Sequence, residues 1–137
     1  MGSSIEDNKK IALSYFSLGE KGDADGITEL FVPDGIVRSM GTTFLASKLQ
    51  GHDEIRMAHS GIYDAFPDGL KLAPLTVIGE GDTVAVELVS LGTTVAGKIY
   101  NNQYVFLFFF RNGKIVEMRE YLDSQHVNDV LFDGKHP

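Results

Sequence analysis

The sequence has no cysteine, no tryptophan and only 4 prolines in 137 residues. Without a thiol there is no disulfide, thiolate nucleophile, iron–sulfur cluster or thiolate zinc site. Positive charge is scarce: 12 Lys+Arg against 19 Asp+Glu leave a formal net charge of −7. Such a chain lacks the basic footprint that displaces counterions from nucleic acid, and anionic lipid does not attract it. No apolar run reaches the roughly 18 residues of a membrane span. The opening MGSSIEDNKK lacks the apolar core of a signal peptide. Gly2 follows Met1, but Glu6 stands where a myristoylation signal carries Ser or Thr. The expectation is a cytoplasmic protein without a membrane or nucleic-acid partner.

Site motifs are missing too. No two histidines have HxH or HxxxH spacing, and Asp23-Ala24-Asp25-Gly26 is not followed by the glutamate that closes a calcium loop. No phosphate-cradling loop occurs, and no serine sits in a Gly-x-Ser-x-Gly elbow. Neither a metal nor a cofactor is expected.

What is present is an ordinary globular composition, 43% hydrophobic and 23% charged. The length predicts one domain, burying roughly 68% of its unfolded surface. Ile11, Ala12, Tyr15, Phe16 and Leu18 form a helical stripe from about Asp7 to Gly19. Asp23 is placed to cap a second helix that runs to about Phe31. Pro33-Asp34-Gly35 reads as a turn before a short strand over 36–40. A third helix is expected from Gly51 to about Phe66, with Ile55, His59, Ile62 and Phe66 on one face. Strands follow over 72–80, 83–94, 99–111 and 114–122, with an Asn112-Gly113 hairpin turn and one more helical turn in the tail. Helices first and strands after predict an α+β fold with helices on one face of a curved, mostly antiparallel sheet.

The strand through Tyr104 is apolar on both faces. Period two puts Asn102, Tyr104, Phe106, Phe108 and Phe110 on one side and Val105, Leu107 and Phe109 on the other. A sheet with one wet face alternates apolar and polar. Helices can cover one side, so a second copy of the chain is expected on the other.

In the last strand, Glu120 shares a face with Val116, Met118 and Leu122. A carboxyl in such a row either pairs with a cation (Arg38, Arg56 or Lys48) and ties the sheet together, or stays unpaired with a raised pKa and serves as a general acid or base. The residues alone leave both open. Tyr104 is a candidate donor to a developing oxyanion, and Asn102 a candidate to orient a carbonyl or a water. Each also reads as a polar group satisfied within the sheet. His59 has the ordinary pKa for proton transfer, although a lone histidine on an apolar face is more often a hydrogen-bonded core residue. The expected substrate-binding wall comprises Tyr15, Ser39, Ile62, Phe66, Leu88, Phe106, Phe108 and Met118 around a small apolar molecule.

Tyr15-Phe16, Lys21-Gly22-Asp23, Leu30-Phe31-Val32-Pro33-Asp34, Gly51-His52-Asp53-Glu54-Ile55, Tyr100-Asn101-Asn102-Gln103-Tyr104-Val105-Phe106 and Arg119-Glu120-Tyr121-Leu122-Asp123 stand in a familiar order. Together they resemble the nuclear transport factor 2-like superfamily, in its SnoaL-like, ketosteroid-isomerase-related branch. The resemblance covers nearly the whole chain. It implies a cone, with a strongly bent sheet wrapping about three N-terminal helices around an apolar pocket, and dimers through the outer sheet face.

The resemblance also implies that Glu120 stands where SnoaL-like cyclases and limonene epoxide hydrolase carry an acid–base carboxylate. Leu88 and Ser90 replace that hydrolase's Arg and Asp, and Val37 and Ser39 replace its water-positioning pair, which argues against its mechanism. Tyr15 matches the oxyanion tyrosine of ketosteroid isomerase, while Ser39 stands at its base and Phe106 at its protonated aspartate. The superfamily holds enzymes and non-enzymes. The expected function is therefore acid–base catalysis of isomerase, cyclase or hydratase type on a carbonyl-bearing apolar substrate. The alternative is a non-catalytic ligand-binding or dimeric interaction domain.

Overall fold

Helix α1 spans Ile5–Glu20 in the computed structural model, which describes residues 4–137. The Met1–Ser3 start, read above for targeting signals, lies outside the described residues. Ser4 caps α1 by accepting the Asp7 amide, and Asn8, Ala12, Tyr15 and Phe16 are buried at helical spacing. Asp23 caps α2, Ala24–Glu29, through the Gly26 amide at 2.9 Å.

Two expectations fail at the next step. The second helix stops at Glu29 because Phe31 already belongs to strand β1, Phe31–Ser39, where the Ile115 amide bonds to the Leu30 carbonyl. Pro33-Asp34-Gly35 lies inside β1 rather than before it. Phe31 pairs with Ile115 and Ile36 with Glu117, so β1 advances five residues while its neighbour advances two. The excursion accommodates a proline that has no amide to donate.

Strand β2, Ser47–Gln50, was not expected: Ser-Lys-Leu-Gln shows no alternation, and it is a short edge strand paired to β1. The third helix is broken at Gly61 into α3, His52–Ser60, and α4, Ile62–Ala65. Strands β3, Leu70–Glu80, and β4, Thr83–Thr93, form a hairpin. The expected strand over 99–111 is interrupted at Asn101 and Asn102, giving β5, Ile99–Tyr100, and β6, Gln103–Arg111. Asn112 and Gly113 both have positive φ, 51° and 78°, as a two-residue hairpin requires, and lead into β7, Lys114–Leu122. Helix α5, Ser124–Leu131, closes the chain under an Asp123 cap. No helix among the described residues is long and apolar enough to cross a membrane.

The sheet runs β2-β1-β7-β6-β4-β3, with β5 beside β4. It is antiparallel except where β1 meets β7. The inner row of β6 is buried as the period-two reading requires: Tyr104, Phe106, Phe108 and Phe110. Phe16 packs edge-on against Phe106 and Phe108, with centroids 4.9 and 5.8 Å apart. On the outer face Val105 is 44% exposed, beside exposed Leu75 and Tyr121. The Arg119 guanidinium covers the Phe109 ring at 4.6 Å and shares Glu117 with Arg38.

Phe108 is wholly buried between α1 and the sheet. Phe108→Ala is expected to lower the unfolding free energy by about 3–5 kcal/mol in urea titrations, as a large aromatic truncation does in a packed core.

Candidate functional site

The inner face of the sheet and the helices enclose a cavity of about 360 Å³. Strand β1 contributes Val37 and Ser39, β6 contributes Tyr104 and Phe106, and β7 contributes Met118 and Glu120. Tyr15 and Phe16 of α1, Ala58 and His59 of α3 and Ile62 of α4 form the opposite wall. Leu45, Ser47, Leu49, Leu70 and Leu72 complete the lining. Most of this wall is apolar, so each polar group in it counts.

Glu120 is the group on which the site turns. Arg38 is bound to Glu117 at 3.3 Å, and Arg56 to Asp25 at 2.8 Å and Asp53 at 3.5 Å. Among the described residues no Lys or Arg forms an ion pair with Glu120, so the sheet-tying reading is not what the geometry presents. Its support is the Ser39 hydroxyl, which donates to Oε1 at 2.6 Å across the β1–β7 pairing. Desolvation pushes the Glu120 pKa above the ordinary carboxylate range, and the Ser39 bond offsets part of that rise.

His59 faces Tyr15. Its Nδ1 lies 2.7 Å from the Ile55 carbonyl and must donate there, which leaves Nε2 to accept from the Tyr15 hydroxyl at 2.6 Å. Burial lowers the His59 pKa, so the ring is neutral and its tautomer set by the helix. Burial also pushes the Tyr15 phenol far up, and the nearby Glu120 charge adds to this. The pair is a neutral hydrogen-bonded wall opposite the carboxyl.

Tyr104 lies beside the cavity, with its hydroxyl held by Ser90 at 2.9 Å and by Tyr100 at 3.2 Å. Its pKa is driven up chiefly by burial. Asn102 is 1% exposed and does not line the cavity. Its Nδ2 donates to the Tyr100 hydroxyl and the Asp123 carbonyl, and its Oδ1 accepts the Gln103 and Asp123 amides. That side chain anchors the β5–β6 break, so its expected role on a carbonyl or water does not fit where it sits.

The structure thus brings Tyr15, Ser39, His59, Ile62, Tyr104, Phe106, Met118 and Glu120 to one cavity. It leaves Leu88 and Phe108 in the closed core, and Phe66 packed against Tyr100. Sequence reasoning missed Ser47 and Leu49 because β2 carries no periodic signal, and Leu45 because it lies in the turn before that strand. Phe16 was legible as an inward residue of α1 but not as a cavity residue. Among the described residues no group of three His, Asp or Glu side chains is arranged to hold a metal.

A carboxyl with a raised pKa makes folding favour its protonated form. That contribution is present below the unfolded pKa and is lost as pH rises through the folded value. Glu120→Gln is therefore expected to melt above wild type at pH 8, with the difference shrinking towards pH 4, in paired thermal scans.

The model of the SnoaL-like domain matches residues 12–118, a span that ends just before Glu120. Comparison with curated proteins gave no match. Among solved structures, a candidate isomerase from Bacillus subtilis superposes with a TM-score of 0.81 at 20% identity, covering 96% of this chain and 96% of that one. A candidate SnoaL-like polyketide cyclase from Jannaschia sp. reaches a TM-score of 0.76 at 21% identity, covering 90% of each chain. TerC, crystallised with polyporic acid, reaches 0.78 at 25% identity, covering 91% of this chain and 98% of that one. The α+β cone read from the sequence is the fold these proteins share. With a matching model over most of its length, the chain belongs to the SnoaL-like domain family, within the nuclear transport factor 2-like, ketosteroid-isomerase-like fold.

Proposed function

We propose that this protein is a small-molecule enzyme that moves a proton on an apolar, carbonyl-bearing substrate held in the inner cavity. One observation carries the reading: Glu120 sits in an apolar wall with a hydroxyl for support and, among the described residues, no cation bound to it. A carboxyl kept that way has its pKa moved towards neutrality, where it can both accept and return a proton. As base, Glu120 takes a proton from the carbon beside the carbonyl, and the electron pair moves to the carbonyl oxygen. As acid, it returns the proton to another carbon or to oxygen. Isomerisation and intramolecular aldol cyclisation use this step; in hydration the same carboxyl takes a proton from water as its oxygen bonds to carbon and returns it to the enolate carbon. The candidate cyclase and candidate isomerase among the structural relatives support the same class.

Ser39 acts as the positioning residue for the carboxyl. Tyr15, Phe106 and Met118 supply apolar surface that excludes water from it. His59 fixes Tyr15, with Nδ1 committed to the Ile55 carbonyl and Nε2 accepting the Tyr15 hydroxyl.

Glu120→Gln is expected to keep the fold, judged by circular dichroism, and to lose turnover across a panel of cyclic and aromatic ketones followed by deuterium incorporation. Unchanged exchange in that variant removes Glu120 from the chemistry and favours the ligand-binding alternative.

We propose further that the outer sheet face, with Val105, Leu107 and Phe109, packs against a second copy of the chain. Its exposed apolar surface supports this, together with a depression of about 430 Å³ bordered by Leu75, Val105 and Tyr121. Val105→Glu places an unpaired charge there and is expected to convert a dimer to a monomer by light scattering. A wild-type monomer at micromolar concentration sinks the idea.

A further inference from the structure

Three hydroxyls lie in a chain behind the cavity: Ser90, Tyr104 and Tyr100. All three side chains are buried. Both ends of the chain are tied to one residue. The Asn102 backbone amide donates to Ser90 Oγ at 3.1 Å, and Asn102 Nδ2 donates to Tyr100 Oη at 3.0 Å. Asn102 is itself held by Asp123 and Gln103.

Proton counting sets what this chain can do. Three hydroxyls carry three protons, and the two links between them use two. One proton is always surplus and points out of the triad. In the resting arrangement Tyr104 donates to Tyr100, so Ser90 must donate to Tyr104 and the surplus rests on Tyr100. The Tyr104–Tyr100 link is 3.2 Å, longer than the usual O–H···O range, so it is the link most easily reversed. If Tyr100 donates instead, Tyr104 receives from both neighbours and its own proton is released. Of the three, Tyr104 is the one that lines the cavity.

We propose that Ser90, Tyr104 and Tyr100 form a reversible donor relay that turns its surplus proton onto a substrate oxygen at Tyr104, with Asn102 as the fixed end of both arms. Each proton stays on its own oxygen and turns about the C–O bond, so no covalent bond changes. Two donors behind Tyr104 polarise its O–H and strengthen the bond it gives. The ligand class that fits is a neutral molecule with one strong acceptor oxygen, a ketone or an enolisable carbonyl. Tyr104 is the group in contact with substrate; Ser90, Tyr100 and Asn102 are positioning residues. The inference rests on the reading of this cavity as the substrate site, and not on Glu120 being the base.

The test uses acetophenone labelled with ¹³C at its carbonyl, whose carbon resonance moves downfield when the oxygen accepts a hydrogen bond. Bound to the wild-type protein, the resonance is expected downfield of its position in an apolar solvent. Tyr104→Phe should lose most of that displacement. Tyr100→Phe, which removes one oxygen and no packing surface, should reduce it by roughly 10–30%, the share one cooperative bond supplies. Ser90→Ala should reduce it similarly, and Ser90→Thr should restore it. A purely structural role for Tyr100 and Ser90 would leave the resonance unmoved in variants with native circular dichroism.

An unchanged displacement in Tyr104→Phe, or in both Tyr100→Phe and Ser90→Ala, overturns the relay. The acid–base reading stands through that result if Glu120→Gln still abolishes exchange. Conversely, normal exchange in Glu120→Gln with the expected series at Tyr104, Tyr100 and Ser90 keeps the relay and removes Glu120.

Discussion

A carboxyl kept inside an apolar wall is the constraint that orders the rest of this molecule. Among the described residues Glu120 forms no ion pair, and its side chain receives the Ser39 hydroxyl. Removing a carboxylate from water is costly, so burial raises the Glu120 pKa, and the Ser39 bond offsets part of that rise. Holding it there requires a rigid frame. Ser39 reaches it because β1 runs parallel to β7 with Ser39 and Glu120 in register, and that register is recovered only after the excursion at Val32–Gly35. The single parallel pairing in an otherwise antiparallel sheet is thus what delivers the hydroxyl to the carboxyl.

The resemblance places Ser39 where ketosteroid isomerase carries its base. Glu120 is the cross-strand neighbour of that position. A carboxyl on β7 therefore approaches, from the next strand over, the wall that the resemblance assigns to a carboxyl on β1. Under the proposed function, Glu120 supplies from β7 the acid–base group that β1 lacks, and Ser39 positions it.

Much of this frame was legible because it depends on local periodicity. The Tyr104, Phe106, Phe108, Phe110 row is a period-two signal, the Asn112-Gly113 turn needs positive φ, and Asp23 is a cap with a local partner. Glu120 stood out for the same reason: it breaks an apolar row. What stayed hidden was non-local or patternless. Strand β2 has four residues without alternation and pairs only because β1 is beside it. The Tyr15–His59 bond joins residues 44 apart, and nothing in either helix announces it. Asn102 looked like a site residue because it lies on the inward row, but a polar side chain at a strand break is consumed by the backbone ends that the break exposes.

The directions of the cavity's hydrogen bonds separate its fixed groups from its adaptable ones. Tyr15 gives its proton to His59, whose other nitrogen is committed to the α3 backbone, so that wall is set by helix geometry. Ser39 gives its proton to Glu120. On the two proposals above, Glu120 and Tyr104 change partner without moving a strand: one by gaining or losing a proton, the other by reversing a hydroxyl link. They lie on neighbouring strands of one sheet face, with Phe106 opposite Glu120 and Tyr104 opposite Leu122. That makes them diagonal neighbours, a separation of roughly 7–8 Å that long side chains can bridge to one small molecule. In the proposed enolisation the base addresses the carbon beside the carbonyl and the donor addresses the carbonyl oxygen, two atoms bonded to the same carbon. Under that reading the β6–β7 register brings both groups to one substrate, leaving the helices to shape the apolar remainder of the cavity.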